Sequence, residues 1–277
     1  MEKIFIFDNK FLLAPMLEPN DIVFRLLCKK AGAGGIYTGM VNPLSKKELV
    51  LDDRPVVQLF CNKIEGIKEF IKKHDKTVSG WDFNLGCPSD VAEKLKFGAY
   101  LENLEIIEEI IKEIRKNTKK FFSVKIRKSE NSFKILKIAQ KYCNALIIHP
   151  RTREQGYSGE ADLDFALEIK SKSKIPIIYS GDVNEKNAKE LIKKFDFVMI
   201  GRAAIGNQNI FAVLTNYEKR FFFEDYVKIA RKYKIPFSQI KFQALNFTKC
   251  NQNATKLREK LVKTSSIAEI KKIYNIL

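Results

Sequence analysis

Residues 80–88 read Gly-Trp-Asp-Phe-Asn-Leu-Gly-Cys-Pro, and this stretch has the form that decides the fold. A short β-type run, Gly80–Asn84, ends at once in a polar turn that contains glycine and proline. Runs of the same kind recur along the chain, and amphipathic helical stretches separate most of them. The predicted strands are Phe11–Met16, Gly35–Thr38, Pro55–Phe60, Gly80–Asn84, Phe122–Arg127, Ala145–His149, Ile175–Ser180 and Phe197–Gly201.

Alternation of eight strands with helices favours an α/β fold, a (β/α)₈ TIM barrel. A doubly wound open sheet is the alternative, because periodicity alone does not show that the sheet closes. Around Asp8-Asn9, the segments Lys3–Phe7 and Lys10–Leu13 are predicted to form a hairpin that plugs the barrel floor. The intervening helices are predicted at Ile64–His74, Glu105–Lys116, Lys134–Tyr142 and Glu185–Phe195.

After about Asn216 the pattern changes from strands to helices alone. The break at Lys234-Ile235-Pro236 suits a helix boundary. We therefore predict two domains, a catalytic barrel over 1–216 and a small C-terminal all-helical domain over 217–277. Its helices are predicted at Glu224–Tyr233, Ser238–Thr248, Asn251–Lys263 and Ser266–Ile276.

The charge is concentrated in this tail. Of a formal net charge of +17, residues 217–277 carry +9, from 14 Lys+Arg against five Asp+Glu. Such an excess favours a polyanionic partner such as RNA, with an anionic membrane surface as the weaker alternative. A Lys-rich composition can also reflect genome composition or a hot habitat, but that would not concentrate charge in one region. With no spanning apolar run and no secretory signal, we expect a cytoplasmic protein without a membrane partner.

The cysteines and histidines argue against a disulfide framework and against a metal site. None of the five cysteines forms a CxxC pair, and there are two histidines. Free cysteines are usually inert and buried, which is how we interpret Cys28, Cys61 and Cys143. Cys87 differs, because it lies in a loop bounded by glycine and proline at a predicted strand end. An ordinary thiol is mostly protonated near neutral pH, which suits a proton donor.

Polar, glycine-containing segments follow most of the predicted strands, where the active site of such a barrel gathers. Ser180-Gly181-Asp182 and Gly201-Arg202 follow the seventh and eighth strands, where barrel enzymes often bind a phosphate. The alternative is that Gly181 and Gly201 only make turns. Lys125 and Arg127 share one face of the fifth strand. Two cations inside a barrel need an anionic or electron-rich partner, unless they form a structural ion pair.

Two further loops are candidate functional segments. The segment that begins at His149 carries Arg151, Arg153, Gln155 and Tyr157, a basic and aromatic composition that suits RNA phosphates and a stacked base. For Arg153 and Gln155 a solvated loop is the alternative. The glycine-containing stretch Lys94–Ala99 is expected to be a mobile lid.

Together these residues resemble the tRNA-dihydrouridine synthases, which are flavin-containing (β/α)₈ barrels with a C-terminal helical domain. The long match from His149 to Asp162 is the most specific part. The tail, with Lys241, Lys249 and Arg258, looks like a shortened form of the family's RNA-binding domain. Other matching stretches are Leu13–Met16, Tyr37–Met40, Val57–Phe60, Asn84–Pro88, Val124–Arg127 and Ile200–Asn207.

The resemblance implies FMN as cofactor and NADPH, or NADH, as electron source. Cys87 would protonate C5 of uracil while the reduced flavin delivers hydride to C6, and Asn84 would orient the base. The uridine must then leave the stacked tRNA. The implied flavin contacts are Ala14, Pro15, Met16 and Gln58 along the flavin, Lys125 and His149 at its ring and ribityl-phosphate portions, and Ser180, Gly181, Asp182, Gly201 and Arg202 at the phosphate end. The expected tRNA contacts are Asn84, Arg127, Arg151, Arg153, Gln155, Tyr157, Lys241, Lys249 and Arg258.

Two alternatives to this function stay open from the sequence. One is an FMN barrel that reduces a small pyrimidine, like dihydroorotate dehydrogenase. It would not need the basic tail. The other is a non-enzymatic RNA-binding protein, which would need none of Cys87, Lys125 and His149. For the lead hypothesis we expect a nicotinamide partner and a monomer that binds tRNA.

Overall fold

A computed structural model describes residues 6–251 and 253–276. Eight parallel strands pair in chain order and close on themselves, because β1 pairs with β8 as well as with β2. Closure confirms the TIM barrel and excludes the open sheet. The strands are β1 Phe11–Leu13, β2 Gly35–Val41, β3 Val56–Leu59, β4 Gly80–Leu85, β5 Phe121–Arg127, β6 Ala145–His149, β7 Ile177–Ser180 and β8 Phe197–Ile200.

Strand alternation explains how β4 contributes to two layers. Trp81 and Phe83 are fully buried in the core between sheet and helices. Asp82 and Asn84 point the other way, into the barrel, where their side chains are hydrogen-bonded to Gln58 of β3. A purely apolar strand would not bring polar groups into the barrel interior. The sequence of β4 therefore places chemistry at the centre of the fold.

The barrel floor is apolar and is closed by Phe7. Its ring lies 5.0 Å from that of Phe121 and 5.4 Å from that of Phe197, both edge to face. The predicted hairpin is wrong, because Phe11–Leu13 is paired on both sides by parallel strands and has no free edge. Residues 3–5 of that prediction lie outside the described residues. The expected plug is thus a side chain that precedes β1.

The outer helices bury one face each. On α4, Ile107, Ile110, Ile111 and Ile114 are buried at helical spacing, and Asn103 caps the helix by accepting from two backbone N–H groups. The helices are α1 Ile22–Lys30, α2 Ile67–His74, α3 Asp90–Leu95, α4 Leu104–Asn117, α5 Ser132–Tyr142, α6 Leu163–Ser171, α7 Ala188–Lys194, α8 Ile210–Leu214, α9 Phe223–Lys232, α10 Phe237–Phe247, α11 Ala254–Val262 and α12 Ile267–Ile273.

The described residues after α8 form helices joined by turns and contain no strand, as predicted, and they pack directly on the barrel. Asp21 caps α1 and also accepts hydrogen bonds from three tail side chains, Tyr226, Gln239 and Gln243. The buried tail residues belong to the same apolar core as the barrel. The division at 216/217 stays a prediction about chain organisation. Within the described ranges, no helix has the length and apolar character required to cross a membrane.

Candidate active site

A cavity of about 370 Å³, which we call the strand-end pocket, opens at the carboxyl ends of β1 and β5–β8. Its size falls in the range of small-molecule sites, about 300–1,000 Å³. Ten of the eleven residues that the sequence assigns to a cofactor line it; Gln58, on β3, does not. The lining is Ala14, Pro15, Met16, Lys125, His149, Tyr157, Ser180, Gly181, Asp182, Val183, Asn184, Met199, Gly201, Arg202, Ala203 and Lys249.

Lys125 is the cation on the inner wall of the strand-end pocket. Desolvation, and then the charge of Arg127, lower the pKa of its ammonium to about 8, while the carboxylate of Asp82 acts in the opposite direction. Among the described residues no carboxylate lies within 4.0 Å of it, so a structural ion pair is not observed. A partly buried cation without a partner is available to an anionic or electron-rich ligand.

His149 is buried and neutral. Desolvation, followed by the charges of Lys125 and three arginines, lowers its pKa to about 2. Its Nε2 lies 3.3 Å from a terminal nitrogen of Arg151, which can only donate, so Nε2 accepts and the ring proton is on Nδ1. The side chain can therefore donate a hydrogen bond into the pocket, and it does not take up a proton near neutral pH.

Asp182 joins the two arginines beside the pocket. Its carboxylate accepts from Arg151 and, at 2.6 Å, from Arg202, and its backbone is held in the left-handed region at φ 48°. Arg151 is only 2% exposed, and its guanidinium also donates to the carbonyls of Ser158 and Gly159. With its donors directed to protein acceptors, Arg151 orders the 151–159 loop. This placement argues against the RNA contact expected for it.

Arg127 is likewise engaged inside the protein. Its Nε donates to the carbonyl of Gly86 at 2.8 Å, and a terminal nitrogen donates to the carbonyls of Thr152 and Gly156. It thereby ties the loop that carries Cys87 to the 151–159 loop. Because the guanidinium is buried, we interpret Arg127 as a link between loops and not as a direct RNA contact.

The Cys87 loop is fixed from two sides. The side-chain oxygen of Asn84 accepts from the backbone N–H groups of Gly86 and Cys87, at 3.0 and 2.9 Å. The thiol of Cys87 donates to the hydroxyl of Ser89 at 3.3 Å. On the other side, Gly98 has φ +57°, and a Cβ there would lie 2.8 Å from the carbonyl oxygen of Cys87. Gly98 belongs to the stretch expected to be a mobile lid, and this stretch contacts the Cys87 loop.

A chain of hydrogen bonds inside the barrel leads to the same loop. Ser123 and Gln58 each donate to Asp82 at 2.6 Å, and Asn84 donates to the side-chain oxygen of Gln58 at 2.7 Å. The carboxylate of Asp82 can only accept, so the amide nitrogen of Gln58 faces it and the amide oxygen of Gln58 faces Asn84. The side-chain oxygen of Asn84 is therefore left to face the Cys87 loop. Burial raises the pKa of Asp82 to about 7.

Sequence reasoning missed Asp82 and Ser123. The signal was present, because Asp82 precedes Asn84 by two residues and so shares its face of the strand. The strand register, which pairs Gln58 with Asp82 and Asp82 with Ser123, was not available from local pattern.

Tyr157 is the exposed aromatic group at the rim of the strand-end pocket. Its side chain is 62% exposed, and the guanidinium of Arg202 lies 4.6 Å from the ring centroid. Arg153 lies in a neighbouring groove, paired with Glu102 and Glu154. Gln155 accepts from the backbone of its own loop at Thr152. Of the loop residues expected to meet RNA, Tyr157 is the one presented at the pocket.

The three tail cations predicted to bind RNA have different surroundings. Lys241 donates to the carbonyls of Val262 and Thr264, and Arg258 donates to the hydroxyl of Thr248. Both therefore have contacts that hold the tail together. Lys249 lines the strand-end pocket and donates to the carbonyl of Arg202 at 3.0 Å.

Comparison with known proteins gives a family. The family model described as Dihydrouridine synthase (Dus) matches residues 12–276. The chain is 30% identical to tRNA-dihydrouridine synthase B of Pasteurella multocida (strain Pm70), over 74% of this chain and 69% of that protein. It is 31% identical to the probable tRNA-dihydrouridine synthase of Rickettsia conorii, over 76% of this chain and 71% of that protein.

Solved structures share the fold at low identity. Morphinone reductase in complex with tetrahydroNAD aligns with a TM-score of 0.55 at 9% identity, over 79% of this chain and 90% of that chain. The old yellow enzyme homologue from Zymomonas mobilis aligns with a TM-score of 0.56 at 11% identity, over 81% and 94%. At such identity the likeness concerns the barrel alone.

Proposed function

The chain belongs to the dihydrouridine synthase family, and from that membership we propose that it reduces uridine to 5,6-dihydrouridine in tRNA, with FMN as cofactor and NADPH, or NADH, as electron source. The observation that carries the proposal is the strand-end pocket with Cys87 beside it. Asn84, which holds the Cys87 loop, is paired in register with Lys125 on the pocket wall. Cofactor and acid would therefore meet at one place.

The lining of the strand-end pocket supports FMN. Apolar side chains of Ala14, Met16 and Met199 offer contact for a flat ring system. Arg202 and the glycine backbone at Gly201 offer donors for an anionic end. A Cβ at Gly201 would be in van der Waals contact with Ala14 and Met16, at 3.5 and 3.8 Å, so this backbone borders the apolar wall of the pocket.

FMN, once bound and reduced, supplies the hydride that C6 of uracil accepts. The Cys87 thiol gives its proton to C5, which completes the two-electron reduction of the C5–C6 double bond. A thiolate is left on Cys87, and its charge interacts with that of Lys125. The thiolate then recovers a proton from water. Asn84 keeps the loop backbone in place through both N–H groups while the proton moves.

Binding of tRNA is supported by charge and by Tyr157. The net +9 of residues 217–277 supplies the sequence-independent attraction to phosphates. The exposed ring of Tyr157 at the pocket rim suits stacking on the uracil once that base has left the tRNA stack. We expect a cytoplasmic monomer.

Three measurements test the proposal. The purified protein should release FMN on denaturation, and NADPH or NADH should bleach the bound flavin. Mapping of dihydrouridine in tRNA from a deletion strain should show loss at one or more positions that the parent modifies. An unchanged dihydrouridine pattern would contradict the tRNA substrate. Turnover of a free pyrimidine, with tRNA binding that is insensitive to salt, would favour a small-molecule reductase instead.

A further inference from the structure

Lys249 belongs to the helical tail, yet it reaches the strand-end pocket. It lies in a 3-10 turn, Thr248–Cys250, directly after α10, and its ammonium donates to the carbonyl of Arg202 at 3.0 Å. The side chain is among those that line the pocket, next to the loop that follows β8. Among the described residues of the tail, it is the one that lines the pocket.

The turn that carries Lys249 is held firmly against the barrel. Gly206, in the loop after β8, has φ +69°, and a Cβ there would lie 1.9 Å from the carbonyl oxygen of Asn246. The end of α10 therefore rests directly on that loop. From the tail side, Arg258 donates to the hydroxyl of Thr248 at 2.8 Å, and the same hydroxyl donates to the carbonyl of Leu245.

Arg202 and Lys249 are the cations beside the loop that follows β8, and the charge of Lys249 is the less neutralised of the two. The guanidinium of Arg202 is paired with the carboxylate of Asp182, which already accepts from Arg151 as well. Lys249 has a carbonyl as its only hydrogen-bond partner among the described residues, and it forms no ion pair there. An ammonium held by one carbonyl keeps two donors for an anion.

We propose that Lys249 binds the phosphate group of the flavin, so that the barrel supplies most of the cofactor site and the helical tail completes it. The inference rests on the proposed function, because it takes FMN as the ligand. It has a consequence for the whole protein. A ligand that binds only the docked form stabilises that form. Bound FMN should therefore strengthen the docking of the tail, and displacement of the tail should lower the affinity for FMN.

Riboflavin provides the discriminating probe, since it has the ring and ribityl chain of FMN without the phosphate. Apoprotein would be titrated with each flavin by fluorescence quenching, for the wild type, Lys249→Met, Lys249→Arg and Lys256→Met. Lys256 is an exposed lysine of α11 that does not line the pocket, so its substitution removes the same charge from the tail.

We expect Lys249→Met to bind FMN about fivefold more weakly than wild type, the order expected for one partly exposed charge pair. Its affinity for riboflavin should not change. Lys249→Arg should restore FMN binding, and Lys256→Met should bind both flavins as wild type does.

Other outcomes overturn the inference. If Lys249→Met binds FMN with wild-type affinity, or loses FMN and riboflavin affinity equally, Lys249 does not hold the phosphate. If it keeps FMN affinity but binds tRNA more weakly than Lys256→Met does, its role is in RNA recognition. Failure of wild-type protein to bind FMN at all would instead remove the proposed function, and this inference with it.

Discussion

Lys125 and His149 respond to the same surroundings in ways that decide what each can do. Both are desolvated near other cations, which lowers the pKa of each. The ammonium of Lys125, at about 8, is still mostly charged at neutral pH, whereas His149, at about 2, is not. The pocket therefore offers one fixed charge and one neutral hydrogen-bonding ring at adjacent strand ends.

The charge of Lys125 predicts the pH dependence of flavin binding. Below a pKa of about 8 the ammonium is charged, and above it the free protein loses this charge. Wild-type FMN affinity should fall by up to about tenfold between pH 7 and pH 9. Lys125→Met should bind FMN more weakly at pH 7 and show little of that fall. An identical pH profile in the variant would show that Lys125 does not contact the flavin.

The lowered pKa of His149 predicts that the folded protein becomes less stable as the pH falls. Its pKa is lowered from 6.5 to about 2 on folding, so the unfolded chain binds the proton first as pH falls. The stabilisation is complete above pH 6.5 and is lost progressively below it. From pH 7.5 to 5.5 this costs about 1.4 kcal/mol. Urea unfolding of His149→Gln should lack that part of the decline, and His74→Gln, at a less buried histidine whose pKa burial also lowers, should lack a smaller part. An equal decline in wild type and His149→Gln would refute the assignment.

For single residues, the sequence predicted the side of a strand on which a side chain lies better than it predicted the hydrogen-bond partners of that side chain. Strand alternation predicted that Lys125 and Arg127 share a face, and both are directed toward the strand ends. The partners of Arg151 are carbonyls in its own loop and the carboxylate of Asp182 on another loop. Local sequence periodicity does not predict the conformation of a loop. From sequence alone, an arginine that orders a loop therefore cannot be distinguished from one that contacts RNA.

At the scale of elements, the position of the Cys87 loop depends on two supports. Its backbone N–H groups donate to the side-chain oxygen of Asn84 on one side, and it packs closely against Gly98 on the other. Strand β4 positions Asn84 through the chain that starts at Asp82. A change in either support should move the thiol without emptying the pocket, which allows catalysis and cofactor binding to be separated.

Two glycines provide a matched test of that packing. Gly98 and Gly156 have nearly the same backbone, φ +57° and +55°, but a Cβ at Gly156 would meet nothing within 4 Å. The left-handed backbone should cost alanine about 1–2 kcal/mol of stability at either site, and the contact with the Cys87 carbonyl should add to that cost at Gly98. Only Gly98→Ala should also lower dihydrouridine formation, by tenfold or more on the order expected for a misplaced acid, with FMN affinity retained. Equal activity in the two variants would mean that the Cys87 loop tolerates displacement.

At the scale of the molecule, barrel and tail act as one packed unit. Asp21 caps α1 and receives hydrogen bonds from α9 and α10, which links the first outer helix to the tail. Strand and helix periodicity predicted this order of elements and the helical character of the tail. The docking itself was not predictable, because it depends on pairs more than 200 residues apart, such as Asp21 with Gln243.

Removal of that link should destabilise the whole protein. Asp21→Ala loses a helix cap and leaves the amide of Gln243, which is fully buried, without its acceptor. We expect a loss of about 2–4 kcal/mol in the free energy of unfolding. Asn103→Ala, which removes only the cap of α4, should cost about 1 kcal/mol. A cost for Asp21→Ala no larger than for Asn103→Ala would show that the tail contributes nothing at this contact.

The central claim concerns one reaction, and a single anaerobic experiment tests it most directly. Protein reduced with NADPH would be mixed with tRNA from a deletion strain, for the wild type and for Cys87→Ala. The wild-type flavin should reoxidise, with about one dihydrouridine formed for each flavin, whereas Cys87→Ala should keep its flavin reduced and leave the tRNA unmodified. Dihydrouridine formed at the wild-type rate by Cys87→Ala, or a wild-type flavin that stays reduced in the presence of this tRNA, would contradict the account.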